Sequence, residues 1–564
     1  MKSRFRRIIV NKHGNVADSL FGSPFKGPGE FRQTQKGAKM THPGRLFPLI
    51  FFIIFLLSGC FKLGPDFHRP KVEVSPNWMD AGDQRVKTGP SEYGNWWMTF
   101  NDPVLNRLIE RAYRENLSLR IAGVRVLEAR AQLGIAIGGL YPQTQQASGS
   151  LQYNRISGNA PLAAAYSTLT FSQDQVGINA SWEMDFWGRF RRAIESADAA
   201  WHATLADYDN ALVSLTADVA NSYILIRTLG KRIDIAHQNV ETQRESLKIA
   251  EARFQYGSAT ELDVEQAKTV LNNTLASIPT LETQLRQAKD ALSILLGLPP
   301  SNLADFLEGP SEIPVSPPQV VVGIPADLLR RRPDIRSAEY QAIAQCAQIG
   351  VAKADLYPAF SLAGMFGFSS SDYGQPNLID IFKWQSRTYQ IGPVFQWNLF
   401  NYGRITNNVR LQDARLQELL ITYQNAVLTA QQEVEDNLAA FLRAQERAQF
   451  LGLSTAAAKN SLDLAVLQYR GGVKDFTTVL VAEQALLTAQ DNLAITLGTI
   501  SNSLVGVYKA LGGGWEIREG KELIPPQIKE TMAERTNWGK LLAPAIYNPP
   551  AGEEPKSLVR PPDW

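Results

Sequence analysis

Chemistry in this chain of 564 residues would have to come from five histidines, two cysteines and scattered carboxylates. His13, His42, His68, His202 and His237 stand at no spacing that brings two of them onto one metal ion. Cys346 lies in an apolar helical pattern with no histidine near it, the setting of a small buried residue and not of an activated thiolate. Glu241 with Glu245, and Glu433 with Glu435, fall on long helical patterns, where a solvated face is the ordinary reading. No G-x-S-x-G, phosphate loop or dinucleotide fingerprint occurs. No catalytic residue, metal or cofactor is expected, and the chain does not read as an enzyme. The one residue placed for covalent chemistry is Cys60, which ends the run Leu57-Ser58-Gly59-Cys60.

What precedes Cys60 says which chemistry that is. Residues 46–57 are apolar throughout and follow Arg45. As a helix they would rise only about 18 Å, short of the roughly 30 Å hydrocarbon core of a bilayer. A basic residue, a short apolar run and small residues are the grammar of an export signal. The segment 40–59 has the expected length, so residues 1–39 read as an over-extended start. Leu-Ser-Gly-Cys resembles the bacterial lipobox, whose cysteine becomes the acylated first residue. Phe61 stands where an Asp would mark retention in the inner membrane, and its presence points to the outer one.

The bulk numbers fit an exported body. The chain is 44% hydrophobic and 20% charged, with a formal net charge of +2. Residues 1–59 hold most of the positive excess, and the remainder carries a net −6. A mildly acidic body excludes nucleic acid as the expected partner. No later stretch of 18 apolar residues exists, so any membrane crossing by the mature chain must use strands.

The elements that would position such a crossing occur twice. Residues 133–142, LGIAIGGLYP, answer to residues 349–358, IGVAKADLYP, 216 positions later. Trp182-Glu-Met-Asp-Phe-Trp-Gly-Arg189 answers to Trp397-Asn-Leu-Phe-Asn-Tyr-Gly-Arg404 at an offset of 215, which also carries Gly257 to Gly472 and Gly297 to Gly512. One offset held over so long a stretch is a duplication. Each copy reads as a helix, two strands, a very long helix and another helix. Val176, Ile178, Ala180, Trp182 and Met184 alternate with polar or small residues, as do Tyr389, Ile391, Pro393, Phe395, Trp397 and Leu399. Period two marks strands with one apolar and one polar face. Their partners are expected around residues 148–155 and 360–369. Leu205, Leu212, Val219, Ile226, Ile233, Val240, Leu247 and Phe254 keep a seven-residue spacing, repeated from Leu420 to Tyr469 with Thr455 the one polar entry. That is a coiled-coil seam about 100 Å long.

Four strands cannot close a membrane barrel, for which about eight are the practical minimum, and an open edge in lipid costs several kcal/mol per unpaired backbone group. Several copies must therefore share one barrel. Trp182 and Trp397 lie on the apolar parity, Trp187 and Tyr402 sit beyond the strand ends, and all four suit an interfacial girdle. The expected fold class is α+β, with strands in a shared transmembrane barrel continued by long coiled-coil helices.

At this point the chain resembles the outer-membrane factor family, the TolC-like ducts, and within it the lipoprotein (NodT-type) branch paired with resistance-nodulation-division pumps. The resemblance rests on Leu63-Gly-Pro-Asp-Phe-His-Arg-Pro70, Trp96-Trp97, Phe100-Asn-Asp-Pro103, Ile324-Pro-Ala-Asp-Leu-Leu-Arg-Arg-Arg-Pro-Asp334 and Tyr508-Lys-Ala-Leu-Gly-Gly-Gly-Trp515, in order around the duplication. It implies a homotrimer with a twelve-stranded barrel and a twelve-helix periplasmic tunnel, partnered by a periplasmic adaptor and an inner-membrane transporter. Residues 60–100 would be the anchor and equatorial segment, 101–308 and 326–515 the two repeats, 309–325 a proline-rich link, and 516–564 a proline-rich tail, equatorial or disordered. The resemblance places adaptor contacts at two helix-to-helix turns, with Gly257, Ser258 and Asp263 in one and Gly471, Gly472 and Asp475 in the other. Thr477 and Val481 stand where relatives narrow the duct, so a carboxylate ring there would fall to Asp263 or Asp475. The expected function is the exit duct of a tripartite efflux pump for drugs, metals or metabolites. The alternatives are the outer-membrane channel of a type I protein or peptide secretion system, or a pore-less coiled-coil structural lipoprotein.

Overall fold

The computed structural model describes residues 62–89, 93–161, 168–323, 325–326, 331–373, 377–544 and 547. Cys60 and the export signal lie outside the described residues, and the rest belongs to one compact unit, Gly59–Trp564. In chain order the elements are β1 (Val86–Thr88), α1 (Pro103–Glu115), α2 (Leu117–Gly138), β2 (Thr144–Arg155), β3 (Thr170–Met184), α3 (Arg189–Gln255) and α4 (Glu261–Leu295). Then come β4 (Val320–Val322), α5 (Pro333–Ala354), β5 (Ala359–Ser371), β6 (Arg387–Gln396), α6 (Arg404–Arg470), α7 (Phe476–Ala510) and α8 (Pro526–Arg535). The duplication holds in the strand pairs and the long helices: α3 and α6 each span 67 residues, α4 and α7 each span 35.

The structure corrects several details. The first repeat opens with two helices where one was expected. The break falls at Asn116, whose side chain caps α2 by accepting from the Leu119 N–H at 2.8 Å. The strands begin earlier than alternation alone indicated, and β6 stops at Gln396, leaving Trp397 and Leu399 outside the ladder. The expected proline-rich link carries β4, which pairs in parallel with β1. Of the tail expected to be equatorial or disordered, part is ordered structure: Pro526 at the start of α8 supplies a backbone already set for helix, and Tyr547 reaches the ring of Trp201 at 5.8 Å.

Two layouts share the long helices. On the strand side the helices lie in the order α2, α3, α5, α6; on the far side the order is α4, α3, α7, α6. The heptad residues explain this packing. Leu212, Val219, Val240, Val434, Phe441 and Leu462 are buried, while the first seam fades toward the far end, where Phe254 is exposed. Where the layouts meet, a core forms around Trp96, which stacks on Tyr508 at 5.5 Å and meets Trp97 edge-on at 5.8 Å. The Arg-rich motif pins that core. Asp209, fully buried, accepts from Arg336 at 2.5 Å and from Arg518, and Arg332 reaches Glu433 at 2.6 Å. No helix among the described residues is long and apolar enough to cross a membrane.

Candidate functional site

The first functional surface is the four-stranded antiparallel sheet, in the order β2, β3, β5, β6. Its register fixes which side chains share a face, because directly opposed residues point the same way. Val176 stands opposite Gly149 and Phe368, Ile178 opposite Ala147 and Phe366, Trp182 opposite Leu362, and Phe366 opposite Tyr389. Most of the large apolar positions of the four strands thus fall on one face, with Phe171, Met365 and Val394 the exceptions on the other. The other face gathers Gln146, Ser148, Gln175, Asn179, Ser181, Ser361, Ser369, Gln390 and Gln396. From Val176 to Met184 the apolar band runs about 26 Å along the strand, the scale of an outer-membrane hydrocarbon layer.

The sheet is open at both sides. Neither β2 nor β6 has a second strand partner among the described residues. The distal strand ends are also staggered: Arg155 of β2 pairs with Thr170, whereas Arg387 of β6 reaches β3 through Phe368 at Val176. A progressive stagger of this kind is what strands tilted around a barrel require.

The expected girdle aromatics part company. The indole N–H of Trp182 donates to the Leu140 carbonyl at 3.1 Å and that of Trp397 to the Leu356 carbonyl at 3.0 Å, the same bond in both repeats. Both rings are exposed at the helical end of the apolar face, and Tyr402 is 99% exposed. Trp187 differs: it is half-buried, lies 4.8 Å from the ring of Tyr357 and donates to the Pro358 carbonyl at 2.8 Å. Its work is to lock the first repeat's strand-to-helix junction onto the second.

The second surface is the far tip. Gly257 (φ 68°) ends the reversal out of α3 and Gly472 (φ 74°) the one out of α6, left-handed backbone that a side chain would strain. The flanking carboxylates are caps. Asp263 and Thr260 form a reciprocal capping box at the start of α4, and Asp475 accepts from the Thr478 hydroxyl at 2.9 Å at the start of α7. Ser258, Gly471, Thr477 and Val481 are exposed.

A residue that spacing did not single out joins the two turns. The Arg253 guanidinium lies 4.7 Å over the Tyr469 ring. It donates to the Tyr469 carbonyl, to the Arg470 carbonyl at 3.5 Å and to the Ser258 carbonyl at 3.1 Å. Farther along α3, from about two to about six turns beyond Arg253, a polar layer fills the contact of α3 with α7. Asn239 donates to Gln490 at 2.8 Å, and Arg232 reaches Asp491 at 2.6 Å. Among the described residues buried Glu483 has the Ser246 hydroxyl to support its charge, and burial holds its carboxyl above the ordinary carboxylate range.

The remaining candidates for chemistry stay structural. Burial pushes the Cys346 thiol up to about 11, so it is no thiolate at neutral pH. Among the described residues no group of three or more His, Cys, Asp and Glu side chains is arranged to hold a metal ion.

The family of outer membrane efflux proteins matches residues 108–298 and 324–513, the two repeats in turn. The chain is 31% identical to the pyoverdine export outer membrane protein OpmQ of Pseudomonas putida, over 79% of this chain and 94% of that one. It is 32% identical to the solvent efflux pump outer membrane protein SrpC of Pseudomonas putida, over 83% and 98%. Among solved structures the outer-membrane channel OprN superposes with a TM-score of 0.74 at 32% identity, covering 80% of this chain and 99% of that one. With one sheet of two unlike faces, two matched repeats and full-length relatives agreeing, the chain belongs to the outer membrane efflux proteins.

Proposed function

We propose that three copies join edge to edge, β6 of each against β2 of the next, to close a twelve-stranded barrel that conducts small molecules out of the cell. The observation that carries this reading is the sheet itself: two open edges, one coherent apolar face and one coherent polar face. Because β2 and β6 run in opposite directions, adding the next copy continues the antiparallel alternation without a fault. Closure satisfies every edge group that lipid would leave unpaired, puts the apolar face against lipid and lines the lumen with amides and hydroxyls. The outer helices have the same incompleteness. Leu428, Leu453, Leu464 and Leu467 of α6 and Leu117, Ile121 and Ile135 of α2 are exposed on the helices that end each row, ready for a neighbouring copy.

In this reading α3, α4, α6 and α7 carry the duct across the periplasm, anchored by acylated Cys60 in outer-membrane lipid. The tip turns, with Gly257, Ser258, Asp263, Gly471, Gly472 and Asp475, meet a periplasmic adaptor that links the duct to an inner-membrane transporter of the resistance-nodulation-division type. Exposed Tyr256, Leu262 and Val473 give those turns an apolar surface for it. Thr477 and Val481, exposed just inside the second turn, form the constriction, in place of a carboxylate ring. Pyoverdine and solvent, named for the relatives, are small-molecule cargoes and favour efflux over protein secretion. The test is the mass of the detergent-purified protein together with its conductance in planar bilayers. A trimer that conducts supports the reading; a monomer, or an oligomer without conductance under any condition that releases the tip, overturns it.

A further inference from the structure

On the apolar face of the four strands, cations occur at two positions only, Arg155 and Arg387. Both stand at strand ends farthest from the helices, one on each open edge of the sheet. The helical end of that face has none. Simple snorkelling anchors would be expected at both borders of the membrane, so the one-sided placement points to a ligand present at one border.

The surroundings fit a lipid. Arg387 lies 4.8 Å over the Trp384 ring and donates to the Trp384 carbonyl at 2.8 Å, and it makes no ion pair among the described residues. Trp384 in turn sits 6.4 Å from Phe368, on the lipid-facing side of the sheet. Phe382 and Trp384 are 86% and 66% exposed and flank Lys383. Arg155 is exposed and makes no ion pair among the described residues, and Tyr153, two positions before it, is 79% exposed. The nearby carboxylates are engaged or covered. Asp380 pairs with Lys383 at 2.8 Å, Asp372 accepts from the Ser172 N–H at 2.6 Å, and Asp174 is half-buried with one carboxylate oxygen covered.

Resting on the edge-to-edge closure proposed above, we infer that each seam between copies holds a phosphate-bearing lipid of the outer leaflet. Closure sets β6 of one copy beside β2 of the next, so Arg387 comes from one side of the seam and Arg155 from the other. In a barrel of tilted strands this stagger offsets the tilt, so the proposed closure places the two distal ends on the same border of the membrane. Two guanidinium forks suit a phosphate, which they bind with directed hydrogen bonds as well as charge. Tyr153, Phe382 and Trp384 then flank the upper acyl chains. Such a lipid would complete a seam whose two edges belong to different chains.

The experiment uses the full-length protein, delipidated in mild detergent and incubated with bisphosphorylated lipid A or with the same lipid freed of its phosphates. Retained lipid is read by native mass spectrometry, which reports the oligomer in the same spectrum. The phosphorylated form is retained by the wild-type oligomer at up to one per seam, about tenfold more than the dephosphorylated form, and excess inorganic phosphate does not compete it away. Arg155→Gln with Arg387→Gln abolishes that preference. Equal retention of both lipids by an intact wild-type oligomer overturns the lipid site and leaves closure standing, as does undiminished preference in an intact double variant. A wild-type chain that is monomeric overturns closure and the site together. Should the double variant fail to assemble, the comparison of the two lipids on the wild type decides alone.

Discussion

Arg253 is the side chain whose removal most directly tests what holds the two tip turns together. It ties the turn after α3 to the turn after α6 through the carbonyls of Tyr469 and Arg470 and the face of Tyr469. The site is half-exposed, so each hydrogen bond contributes about 1 kcal/mol net and the ring contact about 0.5–1 kcal/mol. Holding the long side chain in one geometry costs about 1.5 kcal/mol. Only the two bonds to Tyr469 and Arg470 and the ring contact cross between the turns, so Arg253→Ala should weaken that link by about 1 kcal/mol, a roughly fivefold shift in any equilibrium that separates them. Single-channel recording reads this as a higher open probability, and spin labels at Ser258 and Lys474 read it as a longer distance between the turns. Arg253→Lys keeps the charge but not the fork, and should fall between. An Arg253→Ala protein that assembles normally, with unchanged open probability and unchanged distances, would refute the view that this contact holds the tip.

Three further outcomes follow from other parts of the molecule. Burial raises the Glu483 carboxyl above its ordinary range, so its contribution to stability is present in acid and is lost as pH rises through the raised value; the α3–α7 contact should tighten under mild acid, and Glu483→Gln should remove that dependence and raise the neutral-pH melting temperature by a few degrees, a flat wild-type pH profile counting against it. Asp209→Ala leaves Arg336 and Arg518 buried without their shared carboxylate and should destabilise the equatorial core by about 3–5 kcal/mol, measured by denaturant unfolding. Cys60→Ser should abolish incorporation of labelled palmitate, and persisting label in that variant would contradict acylation at this position.

How far the chain announced its own structure differs between elements. Duplication, strand alternation and the heptads were legible because each is a repeat in one dimension: period two sets a face of a strand, period seven a seam of a helix. The glycines at 257 and 472 were legible because a left-handed turn between helices accepts few other residues. What the sequence could not show was which strand lies against which. Only the register opposes Val176 to Phe368 and so merges four separate alternations into one wall, and only the packing order leaves β2 and β6 as edges. Arg253 carried no periodic signal, since its partners are carbonyls that become neighbours when two distant turns meet. Arg332 and Arg336 looked like motif residues, and folding gave them Glu433 and Asp209 as partners. Trp187 looked like Trp182 by composition, yet tertiary contact with Tyr357 made it a half-buried fastening between the two repeats. Local geometry is written in neighbours along the chain. Closure, charge pairing and the open edges depend on contacts between residues that linear order keeps apart.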